Sequence, residues 1–179
     1  MLMALALNLL CIGCVGRMFS EGMGQARGAS GKVVEIGMTP DFTKYQGLRI
    51  EPITVAQGLQ APAEIPYLIQ TDFGAAAEKK GLKPQGKPGL KLSGEIVHYE
   101  TSSTIDTAIG PMEEVVIRTK LIDVRSGALI AEANLIGRSK STSSSGAKNV
   151  SLGVAKALDK WLKDGGLKNI DEDDKDRAK

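Results

Sequence analysis

A tight turn, Asp123-Val124-Arg125-Ser126-Gly127, lies between two stretches that each read as a long strand. Gly127 stands where a hairpin connection needs a positive φ. Residues 112–123 form the most β-branched run of the chain, and β-branched side chains suit a pleated, half-buried surface. Residues 128–137 read as the return strand, and Leu90, Leu92, Ile96 and Val97 mark another over 90–101, with a bulge expected at Gly94. Together they predict a three-stranded antiparallel meander, a surface that is stable only when one face is covered.

Two amphipathic helices supply the cover. Ile65, Leu68, Ile69, Phe73, Ala76, Ala77 and Lys80 recur at helical spacing over 64–80, with Pro66 in the first turn and Gly81 suited to a left-handed C-terminal cap. Val150, Val154, Ala155, Leu158, Trp161 and Leu162 form a second apolar stripe over 147–163. Lys160 and Lys163 complement the dipole at its end, and Gly165-Gly166 stops it. Before the first helix, 32–36 reads as a short strand and 48–55 as a longer one. Pro52 lacks a backbone donor, which puts that longer strand at a sheet edge or on a bulge. The pattern predicts an α/β (α+β) fold: a β-α-β-β-β-α two-layer sandwich, with a mixed sheet of about four to five strands and two helices packed on one face.

The N-terminal 15 residues, MLMALALNLLCIGCV, carry no charge and only Asn8 is strongly polar. A helical span of hydrocarbon needs about 20 apolar residues, so the run fits the apolar part of a secretory signal better than a membrane span. Cys11-Ile12-Gly13-Cys14 resembles a bacterial lipobox. Gly13 occupies the small-residue position before the cleavage point, and the resemblance implies lipidation at Cys14. Cys11 stands where Leu is usual, and no Lys or Arg precedes the run. An uncleaved, non-lipidated signal anchor is the alternative. Two or more acyl chains, at ~0.8 kcal/mol per buried methylene, would anchor the chain stably. Val15 after the cysteine, by likeness to enterobacterial lipoproteins, favours the outer membrane over the inner, with the domain facing the periplasm. The expected organisation is a signal segment over 1–14, a Gly-rich tether over 15–31, the α/β domain over 32–166 and a charged, disordered tail over 167–179.

The strand–helix–meander–helix order, Leu92-Ser93-Gly94-Glu95-Ile96 in one strand, the Leu121-Ile122-Asp123…Ser126-Gly127…Leu129 hairpin and the amphipathic last helix together resemble uncharacterised families of bacterial envelope lipoproteins. The plan is also similar to the N-terminal domain of TolB and to the curli-secretion lipoprotein. Such families often read Asp-x-x-Thr-Gly at the turn, where this chain has Ser126. The resemblance spans residues 48–163 and implies binding or assembly at the envelope rather than catalysis.

Composition and side chains agree with a non-catalytic role. The net charge of +2 and an aromatic content of 4% exclude the basic surface and stacking platforms of a nucleic-acid binder. His98 is the only histidine, mid-strand and without an evident carboxylate partner, so a triad or a histidine metal site lacks its parts. The serines over 139–145 lack a nucleophile-elbow signature. The acidic run over 171–176 lacks the glycine and terminal glutamate of a calcium loop. Lys79, Lys80, Lys83, Lys87 and Lys91 cluster near the end of the first helix, either as a solubilising face or as a contact for anionic lipid or glycan. No catalytic residue, cofactor or metal is expected. The expected function is an envelope lipoprotein, held to the membrane through its N-terminal lipid, that binds an envelope partner through the edge strand at Arg49 and Glu51 or helps assemble a complex. An enzyme or small-ligand-binding protein with an unrecognised site is the alternative.

Overall fold

The computed structural model describes residues 29–38, 40–101, 113–139 and 146–170. Strands β1 (Ser30–Ile36), β2 (Gly47–Ile50) and β3 (Thr54–Val55) precede helix α1 (Ile65–Lys79). Strands β4 (Gly89–Glu100), β5 (Glu114–Asp123) and β6 (Leu129–Arg138) follow, and helix α2 (Ala147–Asp164) ends the domain. They build one mixed six-stranded sheet in the order β1-β6-β5-β4-β2, with β3 also paired to β4. The expected two-layer α+β sandwich is the observed fold.

Alternation decides which face is covered. Val115, Ile117, Thr119 and Leu121 of β5 are buried, as are Leu90, Leu92 and Ile96 of β4 and Ala131, Ala133 and Leu135 of β6. They meet Ile65, Ile69 and Phe73 of α1 and Val150, Val154, Leu158 and Trp161 of α2 in one core. β4, β5 and β6 run antiparallel as a meander. β2 and β3 run parallel to β4, a pairing that requires a crossover, and α1 supplies it.

The long predicted strand over 48–55 is two short ones, because the chain breaks at Pro52. Gly47 and Glu51 donate toward the β4 side, to Pro88 and Leu92, whereas Leu48 donates outward. The same alternation puts the nitrogen of Pro52 on the open side, where the missing N–H removes no ladder bond. The bulge expected at Gly94 is absent there. Gly94 lies in unbroken register with Thr119, and the register shifts between Ile96 and His98 instead. Gly94 serves close packing: a Cβ there would lie 2.9 Å from Ile53 Cδ1.

Glycine also sets the distance between the layers. Gly31 of β1 pairs with Gly137 of β6, and both face α2 at Gly153. A Cβ on Gly31 would stand 2.2 Å from the Gly153 carbonyl oxygen, and one on Gly137 would stand 2.5 Å from that of Val150. The second helix therefore rests on the sheet in backbone contact. Its C-terminal end is held by an aromatic pair that no periodicity announced: Phe42 meets Trp161 edge-on, with centroids 6.0 Å apart, and its amide donates to Gly165.

Candidate functional site

Cys11 and Cys14, the tether up to residue 28, Thr39, the excursion over 102–112, the serines over 140–145 and the acidic run over 171–176 lie outside the described residues. The remaining expected positions separate rather than converge. Arg49 and Glu51 project from the edge of the sheet and form an ion pair with each other, Nε to Oε1 at 2.9 Å. That edge is not wholly open. Leu48 donates to the carbonyl of Lys83 and Lys83 donates back to Gln46, so the Lys83 segment occupies the first part of β2. His98 lies on the uncovered face of the sheet, half exposed, 3.7 Å from Glu100. Among the described residues no group of three His, Cys, Asp or Glu side chains is placed to hold a metal.

The lysine cluster disperses as well. Lys80 is buried between the helices, with Nζ 3.2 Å from Asp159 Oδ1. Lys91 falls on β4, and Lys87 reaches a groove at the far end of the molecule. The second sheet edge, β1, went unrecognised from the sequence. Among the described residues β1 pairs with β6 alone, and Val34, Ile36 and the following Met38 are exposed, Met38 by 94%.

A concavity of about 720 Å³ opens where β4 begins and β5 ends. Three chain segments meet there: Lys44 and Tyr45 before β2, Lys87 and Pro88 before β4, and Asp123, Val124 and Arg125 entering the hairpin turn. The turn residue Asp123 organises it. Its Oδ1 accepts the Arg125 amide at 3.0 Å, the Ser126 amide at 2.7 Å and the Ser126 hydroxyl at 2.9 Å. Its Oδ2 accepts the Tyr45 hydroxyl at 3.1 Å, which ties the hairpin to the loop before β2. The Ser126 amide and hydroxyl, helped by Tyr45 and Arg125, hold the Asp123 carboxyl below the usual range. Burial, reinforced by the Asp123 carboxylate, pushes the Tyr45 phenol up. Lys44 Nζ lies 5.1 Å from the centre of the Tyr45 ring. Sequence reading assigned 123–127 to a turn alone, although an Asp three residues before a Ser is also the pattern of a side chain that collects local donors.

The fold thus defines a two-layer α+β domain with a one-sided sheet, two strand edges and a pre-formed groove. No family model and no curated protein matches the chain. Among solved structures it is similar to a PelC dodecamer from Paraburkholderia phytofirmans, at 16% identity over 74% of this chain and 97% of that one, with a TM-score of 0.53. A second PelC dodecamer from that organism matches at 20% identity over 74% and 97% of the two chains, with a TM-score of 0.49. A DUF330 protein from Xanthomonas campestris matches at 14% identity over 79% and 96%, with a TM-score of 0.44. At 16% identity the first likeness speaks for the fold alone, and the other two are weaker still.

Proposed function

We propose that this chain is a non-catalytic envelope lipoprotein, anchored through acylated Cys14, that acts by assembling with other protein chains along the edges of its sheet. The observation that carries this reading is the β1 edge. A seven-residue strand that pairs, among the described residues, with β6 alone presents backbone groups to a further strand, and Val34, Ile36 and Met38 add exposed apolar surface beside it. Isolated apolar residues on a surface are ordinary, but three at alternate positions along one edge strand and just past its end match an interface. The opposite edge remains open beyond Ile50, next to the Arg49–Glu51 pair. A domain with two different free edges can associate head to tail, and such contacts close into rings when the rotation permits. The PelC structure with a similar fold is a dodecamer, which supports self-assembly of this chain. The outer membrane and the periplasmic orientation belong to the same proposal, as does the kinship in plan with TolB and the curli-secretion lipoprotein. His98 faces the open side of the sheet with Glu100 and no third catalytic group among the described residues, which supports a role without catalysis.

The test is native mass spectrometry of the full chain in a mild non-ionic detergent, beside metabolic labelling with a palmitate analogue. Wild type should run as an oligomer, and Val34→Lys with Ile36→Lys should release monomers that melt as wild type does. Arg49→Glu or Glu51→Lys should weaken assembly in the same way. Cys14→Ser should lose the label. A monomeric wild type that captures no envelope protein on crosslinking would refute the assembly reading, and equal labelling of the Cys14 variant would refute the anchor.

A further inference from the structure

We infer that the groove between Tyr45, Pro88 and the β5–β6 turn is a binding site for an anion carried on an apolar body, of the phosphate-ester or carboxylate class. This inference stands apart from the assembly reading, since the groove lies on neither sheet edge.

Three observations carry it. The first is charge. Lys44, Lys87 and Arg125 come from three separate segments of the chain and converge on one concavity. None of them forms an ion pair with a carboxylate among the described residues, and Lys44, which lies over the Tyr45 ring, acts on Asp41 only from beyond ion-pair distance. The only carboxylate on the lining, Asp123, already accepts four hydrogen bonds and is occupied in building the walls. Ionised, it offsets one of the three positive charges and leaves the lining net positive.

The second is preorganisation. The Tyr45–Asp123 hydrogen bond joins two walls that are far apart in sequence, and the Val124 amide donates to Gly89 at 3.0 Å to join the third. A ligand entering such a groove meets positions that are already fixed, which lowers the ordering penalty of binding.

The third is shape and lining. About 720 Å³ is far more room than a bare phosphate or sulfate fills, and it lies in the range of small-molecule sites. Pro88, the Tyr45 ring and Val124, which is 53% exposed, contribute apolar surface. A groove with apolar walls and cationic rims fits a ligand whose body is apolar and whose head is anionic. Arg125 can present two parallel donors to such a head, and Lys44 and Lys87 add point charges.

The test uses the full chain in a non-ionic maltoside detergent, with phenyl phosphate, inorganic phosphate and phenol as probes, followed by amide chemical shifts. Phenyl phosphate should shift the amides of Gly89, Val124 and Arg125 saturably, with inorganic phosphate weaker and phenol without effect. Lys87→Gln and Arg125→Gln should each weaken phenyl phosphate by about tenfold while melting as wild type does. Lys91→Gln, two residues further along β4 than Gly89 and outside the groove lining, should bind as wild type. Two sources of the head group are then separated in phosphatidylcholine nanodiscs prepared with and without phosphatidate. Shifts at Val124 and Arg125 that need phosphatidate assign a lipid head, and their absence, with phenyl phosphate still binding, assigns a soluble ester. Equal binding by the glutamine variants, shifts that map elsewhere, or phenol binding as well as phenyl phosphate would overturn the site. Oligomeric state is untouched by any of these outcomes, so this inference and the assembly reading fail separately.

Discussion

Gly137→Ala should be among the most damaging single-methyl changes in the domain. A Cβ at Gly137 would lie 2.5 Å from the Val150 carbonyl oxygen, 2.5 Å from Val154 Cγ2 and 2.6 Å from the Val154 amide nitrogen. Two of these atoms are backbone, so no rotamer change relieves the clash. α2 must lift from the sheet, and Val150, Val154 and Leu158, all fully buried, loosen with it. Overpacking ordinarily costs about 1–3 kcal/mol, and a collision with helix backbone belongs at the upper end, about 3 kcal/mol. For a domain of this size that corresponds to a fall in Tm of roughly 10 °C. The matched control is Gly74→Ala, in the body of α1, where a Cβ meets nothing within 4 Å. There the same methyl should add about 0.5–1 kcal/mol of stability, because alanine loses less backbone entropy in a helix than glycine does. Thermal and urea unfolding followed by circular dichroism measures both. Gly31→Ala presses on the same helix, so the Gly31/Gly137 double variant should lose less than the sum of the single losses. A Gly137→Ala protein that melts with wild type, or shifts in the same direction as Gly74→Ala, would refute the backbone-contact account of this interface.

Lys80, with its side chain fully buried beside Asp159, gives a second test: Lys80→Met should be near neutral, whereas Asp159→Ala should destabilise by about 3 kcal/mol by stranding a buried ammonium, and the double variant should recover most of that loss in urea melts. The Tyr45–Asp123 tie predicts a pH window. Asp123 has a depressed folded pKa, so its stabilisation is present above the unfolded carboxylate range and is lost as pH falls through the folded value. Tyr45 has a raised folded pKa, so its contribution is present below the ordinary phenol range and is lost as pH rises through the folded value. Asp123→Asn should therefore flatten the acid limb of a Tm-against-pH curve, and a curve unchanged in that limb would contradict the assignment. Gly127 has φ of +71°, so Gly127→Ala should cost about 1 kcal/mol by thermal melting. His98→Gln should leave the assembly and anion-binding readouts unchanged, and its loss of either would put the histidine back into the site.

Period and turn chemistry made the layers legible. The alternation in β4, β5 and β6 and the helical spacing from Ile65 and from Val150 are local signals, each repeated several times, and each buries the face it names. Gly81 and Gly127 adopt the positive φ expected of them, because a C-cap and a hairpin turn demand it locally. What failed was whatever depended on one residue's neighbours across the fold. Gly94 has the look of a bulge in isolation, yet its place is set by Ile53 and Ile117 pressing on that spot of the strand. Lys80 falls on the helical stripe in the sequence and also in the basic cluster at the helix end, and only the packing of α1 on α2 shows that the stripe wins and what its ammonium meets.

The same distinction explains why the edge was partly visible and the groove was not. An edge announces itself in one dimension, because a proline such as Pro52 is excluded from the middle of a sheet by its own chemistry. β1 carries no such mark, and its exposed Val34 and Ile36 look like core residues until β6 turns out to be the one strand beside them among the described residues. A groove is built from the ends of elements, where periodicity stops. Lys44, Lys87 and Arg125 are each an ordinary surface cation in the sequence, separated by dozens of residues, and the parallel pairing of β2 with β4 is what brings the first two together. Asp123 then joins them to the third, since the carboxylate that closes the hairpin with one oxygen holds Tyr45 with the other. The turn that most constrains the fold is therefore also the wall of the binding groove, and a substitution there perturbs both. For that reason the neighbouring Arg125 and Lys87, which the turn does not need, are the residues that separate binding from folding.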